Sequence, residues 1–243
     1  MRDAMIQTIT AIFQREFSSY FNERLAYFVI PIFLFIVGGF SLFFQDIYAQ
    51  QVLSLRVFFF WCAFAYVILI PAITMRSFAE ENRTGSIELL MTLPISEEEM
   101  VLGKFFASLA LISVALVLTV SYPIGFSFMG ELDWGPIYGG YLGLFLLGAA
   151  LSAIGIAAST ITRNQVSAFL LSFLFCLVPF ALGFALRKVS LEYLYIVQFI
   201  SFEYHFDHLA KGLIDSRDII YYLSVCALFL HLAVFNLKIR RFR

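Results

Sequence analysis

Six stretches of this 243-residue chain contain no Asp, Glu, Lys or Arg: residues 25–45, 57–75, 105–130, 134–162, 164–186 and 219–237. A helix needs about 20 apolar residues to cross the hydrocarbon core of a bilayer, so each stretch is long enough to span once. All charged residues are confined to what lies between. With 61% of residues hydrophobic and 30 Phe, the chain falls in the membrane class. The expected fold is all-α and integral to the membrane: a single transmembrane domain over 1–243 with six helices.

Lys and Arg set the expected orientation. Six spans put both termini on one side. That side collects Arg2, Arg15, Arg24, Arg76, Arg83, Lys104, Arg163, Lys238, Arg240, Arg241 and Arg243, against Arg56, Arg187, Lys188, Lys211 and Arg217 on the other. Both termini are therefore expected in the cytoplasm. The first apolar run begins only at Leu25 with no A-x-A-like cleavage site after it, so the N-terminus reads as mature. Cys62, Cys176 and Cys226 lie inside spans, form no C-x-x-C and read as buried small hydrophobes. A net charge of −1 gives no sign of nucleic-acid binding.

Residues 1–24 precede the first span. Within them Ile6, Ile9, Phe13, Phe17 and Tyr20 recur at steps of three and four and share a helical face, with Gln7, Gln14, Arg15, Ser18 and Asn22 away from it. This predicts an interfacial helix, apolar face down on the membrane; a cytoplasmic extension of the first span is the alternative. The fourth span carries Gly139/Gly143, Gly148/Ser152 and Gly155/Ser159, spacings that let helices approach closely in lipid. Residues 187–218 form the longest external segment. Its LEYLYIVQFISF is apolar but too short to cross, which predicts re-entrant or short external helices.

The spans hold no carboxylate or cation of the kind ion-coupled transporters need. His231 is their one classically basic side chain and reads as a packing residue. No filter-like loop, protease pair or G-x-x-x-x-G-K-[ST] is present. An integral-membrane enzyme is excluded for want of a catalytic set, and work done by this chain has to enter from a partner. Spans this apolar suit a lipid-like substrate, or none. His205 and His208, at i and i+3 beside Asp207, have a metal-ligand spacing. Two His with a loose Asp read as structural or interfacial, and no metal is expected.

Residues 79–96, AEENRTGSIELLMTLPIS, are the polar exception between the second and third spans. Gly85 breaks the polar lead from a short helix over Ser86–Thr92. Ile87, Leu90 and Met91 share a face suited to a hydrophobic groove, while Glu80, Glu81, Arg83 and Glu88 offer charges to a partner. Pro94 ends the helix, and Ser96 with Glu99 reads as a capping box.

Here a resemblance is specific. The order Pro71-Ala-Ile-Thr-Met-Arg-Ser-Phe78, Glu80-Glu81, Arg83-Thr84-Gly85-Ser86-Ile87-Glu88-Leu89-Leu90, Thr92-Leu93-Pro94-Ile95-Ser96 and Leu102-Gly103-Lys104 resembles the permease subunits of type-2 ATP-binding-cassette (ABC) exporters. His205-Phe206, Lys211-Gly212 and Ile214-Asp215-x-Arg217-Asp218 resemble the branch associated with gliding motility or copper processing. The resemblance implies a multi-pass protein of the bacterial inner membrane. It also implies a coupling helix within 79–96, formed by Glu80 to Met91, that docks on a separate ATPase. Two ATPases and a second permease copy or related permease would complete the unit. This chain would bind no cofactor, with ATP and magnesium on the ATPase. Export of a hydrophobic substrate is one expectation; the other is an ATP-driven mechanotransmitter or scaffold acting on a periplasmic partner.

Overall fold

The computed structural model describes residues 2–44, 55–92, 94–128, 132–185 and 191–241. The ends of several expected spans, and residues 187–190 of the external segment, lie outside them. The described residues form twelve helices. α1 (Arg2–Asn22) turns through 72° into α2 (Leu25–Phe44), and Arg24 takes the break at a left-handed φ of 65°. α2 runs through Pro31 and Gly38-Gly39 without interruption. α3 (Arg56–Thr74) passes through Met75 into α4 (Arg76–Thr84), so the second span and the start of the polar segment are one helical path. α5 is Ser86–Thr92.

α6 (Glu97–Leu118) begins eight residues before its charge-free run, because the capping box is present. Ser96 Oγ accepts from the Glu99 amide (3.3 Å), and the Glu99 carboxylate accepts from the Ser96 amide (2.9 Å). α7 (Ser121–Ser127) continues that span after a break at Thr119-Val120. α8 (Trp134–Ile161), α9 (Gln165–Ala185), two short helices α10 (Leu191–Ile200) and α11 (Phe202–Ala210), and α12 (Ser216–Arg241) complete the chain. Among the described residues five of these paths are long and apolar enough to cross a membrane alone, and the bent α1–α2 pair, counted as one, is a sixth candidate. The protein is an all-helical, multi-pass membrane protein.

α8 is the axis of the bundle. Its most apolar window is 89% buried, against 28% for those of α9 and α12, so α8 faces protein while the other two turn apolar sides outward. Its small residues permit this. A Cβ at Gly139 would fall on the Leu209 carbonyl oxygen of α11, one at Gly140 would lie 2.7 Å from the Phe59 ring of α3, and one at Gly155 would strike Thr74 Oγ1. The small-residue stripe thus packs within the subunit. Gly139→Ala leaves no rotamer by which a backbone carbonyl can step aside. It is expected to push α11 off α8 and cost about 1–3 kcal/mol, the usual overpacking range, seen as a lower unfolding midpoint of the purified protein. Gly39→Ala, where a Cβ meets nothing within 4 Å, is the control and should not lower that midpoint.

His231 is exposed on α12 rather than packed inside, a correction to its reading as a packing residue. Periodicity cannot say which side of a wholly apolar helix faces inward. Cys62 and Cys176 are buried and Cys226 is half-buried, all with free thiols.

Candidate functional site

The polar segment lies at the end of the bundle where α1 meets α6 and α12 ends. α4 ends at Thr84, whose hydroxyl donates to the Glu80 carbonyl (3.0 Å). Gly85 follows at φ 73°, a left-handed cap that a residue without Cβ adopts freely. Arg83, Thr84, Gly85, Glu88 and Thr92 are exposed and form the tip.

The apolar face of α5 is turned the other way. Ile87 is 8% exposed and belongs to a cluster with Phe78, Met100, Val101, Phe105 and Leu237, and half-buried Leu90 packs on the same cluster. Ile87 is therefore turned into the subunit, whereas the sequence places it on a face suited to a partner's groove. In the subunit Ile87 buries its side chain in that cluster, with α4 as the main neighbour of α5. The Leu89 and Met91 side chains lie outside the described residues.

The charges divide likewise. Glu80 pairs with Arg76 (3.1 Å), which also reaches Glu23 in the break after α1 (2.7 Å). Glu81 points inward to Lys104 of α6 (2.8 Å). Lys104 is 3% exposed. Its ammonium also donates to Glu16 of α1 (3.2 Å) and to the Ser77 carbonyl (2.5 Å), and lies 4.8 Å from the centre of the Phe78 ring. Arg15 backs both carboxylates, 2.9 Å from Glu16 and 3.6 Å from Glu81. Burial disfavours the Glu16 charge, but Lys104 and Arg15 outweigh it and hold that carboxyl below its usual range. For Glu81 burial prevails over Lys104 and the pKa is raised; its Oε2 is buried with no hydrogen-bond partner. These groups line a cleft of about 470 Å³ between α1, α4, α5 and α6. α1 therefore lies along α6, where a Cβ at Gly103 would run into Ile12. Its Tyr20 is buried, whereas Ile6 remains 55% exposed.

A second tie holds α4 from the opposite side. Arg240 of α12 donates to Asn82 Oδ1 (2.5 Å) and to the Ile161 carbonyl (3.0 Å), while Asn82 Nδ2 donates to the Thr162 carbonyl (3.0 Å). Lys238 pairs with Glu98 (3.0 Å). Sequence alone marks Lys104 as a motif residue and an orientation charge, and does not single out Glu16, Asn82 or Arg240 as site residues. The available signal was a single Lys at the edge of an apolar run, which a buried position obliges to find carboxylates.

At the far end, Asp207 receives Arg56 of α3 (2.6 Å) and Lys211 (2.5 Å). Burial alone would raise its pKa, but hydrogen bonds from Lys211 and Arg56 lower it. His205 Nδ1 lies 2.6 Å from Asp218 Oδ1 and His208 Nδ1 lies 3.5 Å from Asp218 Oδ2, so both His converge on one carboxylate. Gly212, at φ 80°, brings the chain against Gly135 and Pro136, Asp215 Oδ1 accepts from the Arg217 amide (2.9 Å), and Arg217 is exposed. The structure thus joins His205, His208, Asp215, Arg217 and Asp218 at one cavity and places Asp207 and Lys211 in a separate ionic cluster with Arg56.

An all-helical bundle of apolar helices with a braced polar segment between α3 and α6 defines a multi-pass membrane protein. Residues 3–235 match the family model of the ABC-2 family transporter protein, and the chain belongs to that family. No curated protein matches it at a significant level. It is a permease subunit of an ABC transporter, a membrane transport component whose family implies an ABC ATPase partner.

Proposed function

We propose that the α4–α5 tip is the surface on which the ATPase docks, and that its movement drives the spans. The observation that carries this is the contrast within one short segment. Arg83, Thr84, Gly85 and Glu88 are left exposed, while Glu81, Asn82 and Ile87, beside or among them, are tied into α6, α8 and α12. A projecting polar surface on a braced base can receive force and pass it inward. A solvated turn would need no such bracing.

In this reading two ATPases, holding ATP and magnesium, act on two permeases in a bacterial inner membrane, with the termini cytoplasmic. The resemblance of the His205–Asp218 segment to the gliding-motility and copper-processing branch remains part of the proposal. The apolar spans favour a hydrophobic or lipid-like cargo.

The test uses the exposed charges, which can be changed without touching the fold. The double reversal Arg83→Glu/Glu88→Lys should retain the wild-type unfolding midpoint and weaken co-purification of the ATPase at least tenfold at low salt, about 1.4 kcal/mol, since rim charges govern encounter and register. Undiminished retention of the ATPase by the reversed tip would place docking elsewhere.

A further inference from the structure

At the end away from the termini, a cavity of about 630 Å³ lies between α10, α11 and the start of α12. Asp218 sits in its wall with its side chain only 4% exposed. One carboxylate oxygen is used: Oδ1 meets His205 Nδ1 at 2.6 Å. The other, Oδ2, is buried with no hydrogen-bond partner. His208 Nδ1 approaches it only to 3.5 Å, too far for a good hydrogen bond. A buried carboxylate oxygen left this way carries its desolvation cost uncompensated, and the residue that bears it lines the cavity, so a donor or cation lodged there would meet its charge.

The rest of the wall says which. Tyr204 and Tyr221 line the same cavity from α11 and α12, Tyr221 stacked on the His205 ring, and Tyr195 and Phe199 line it from α10. Aromatic faces around a carboxylate favour an organic ammonium group, which gains both the charge and the ring quadrupoles. A bare metal ion fits worse, because among the described residues no group of three His, Cys, Asp or Glu side chains converges at ligand distance. The cavity also stands at the membrane border, since the charge-free run of α12 begins at Ile219. Beside it Tyr195, Phe199 and Ile220 are 77%, 62% and 63% exposed. Acyl chains would cover these side chains, and Arg217 supplies the positive charge a phosphate requires.

We propose that this cavity binds an organic ammonium group, namely the amine of a phospholipid headgroup at the membrane border. The site stands independently of the ATPase-docking reading. Asp218→Asn is the principal variant. An amide keeps an acceptor for His205 Nδ1 and removes the charge. His208→Lys is the second: it brings the chain's own ammonium beside Oδ2 and leaves Asp218 in place. The purified full chain is titrated calorimetrically with dihexanoyl phosphatidylethanolamine, dihexanoyl phosphatidylglycerol and free ethanolamine.

The amine lipid is expected to bind at least tenfold more tightly than the glycerol lipid, about 1.4 kcal/mol, and both variants should lose that preference. Free ethanolamine competing at similar concentration would identify a soluble amine as the occupant and overturn the lipid assignment. Failure of ethanolamine to compete would assign the site to the lipid. Equal binding of the two lipids by wild type, absence of binding, or a preference surviving in a folded variant would each overturn the proposal. If Asp218→Asn does not fold, His208→Lys decides.

Discussion

Lys104→Met should detach α1 from the body of the protein. The ammonium touches α1 through Glu16 and α4 through Glu81 and the Ser77 carbonyl while belonging to α6. Met keeps most of the stem that packs near Phe78 but leaves two largely buried carboxylates, 17% and 15% exposed, with only Arg15 between them. Breaking a buried pair by removing one partner costs about 3–5 kcal/mol, mostly the stranded charge. The expected result is a markedly lower unfolding midpoint at pH 7.5, with faster amide exchange along α1. The deficit should shrink on acidification. Burial already raises the Glu81 pKa with Lys104 present, and removing the cation raises it further. As pH falls through that value the variant's Glu81 takes up a proton and sheds the penalty, whereas in wild type it is protonation of Glu16, whose pKa Lys104 and Arg15 hold low, that gives up a favourable pair. Lys104→Met/Glu81→Gln should recover part of the loss at neutral pH for the same reason. A single variant that unfolds with wild type, with α1 still protected, would show that Lys104 does not hold these helices together.

What the sequence disclosed were the features that depend on near neighbours. The charge-free runs locate membrane helices because lipid excludes charge irrespective of tertiary contacts. The left-handed cap at Gly85 and the box at Ser96 and Glu99 are set within four residues, and both are present. Arg76 marks where charge resumes, but not where the helix ends. Helical hydrogen bonding continues through α4 because a polar residue on solvated helix surface carries no penalty. The reach of Lys104 to Glu16, 88 positions away, and of Arg240 to Asn82, 158 away, depends on how helices pack, and one sequence does not encode a choice among several acidic and amide partners. The same holds for α5: spacing puts Ile87 and Leu90 on one face, but only the fold shows that face meeting Phe78 and Met100 instead of solvent or a partner.

That inward face makes Ile87 the most informative position in the proposed docking segment. Ile87→Asp loses the burial of an apolar side chain, about 1.5–3 kcal/mol, and places a carboxylate in a cluster of Phe, Met and Val at a cost of several more. α5 is only seven residues long and cannot hold itself helical, so it should leave the body while the spans stay packed. An ATPase that docks on an anchored α5 would then have to order it, at about 1–2 kcal/mol per residue of backbone. Affinity should therefore fall at least a hundredfold, about 2.7 kcal/mol, more than for reversal of the exposed charges. Ile87→Val, expected to cost about 0.5–1.5 kcal/mol, should keep both α5 and the ATPase in place. The measurement pairs amide exchange over residues 86–92 with titration of the ATPase onto each purified permease. If exchange shows α5 released in Ile87→Asp while the ATPase binds as it does to wild type, the anchored helix is not its seat, and the force would have to enter through another surface at this end of the bundle.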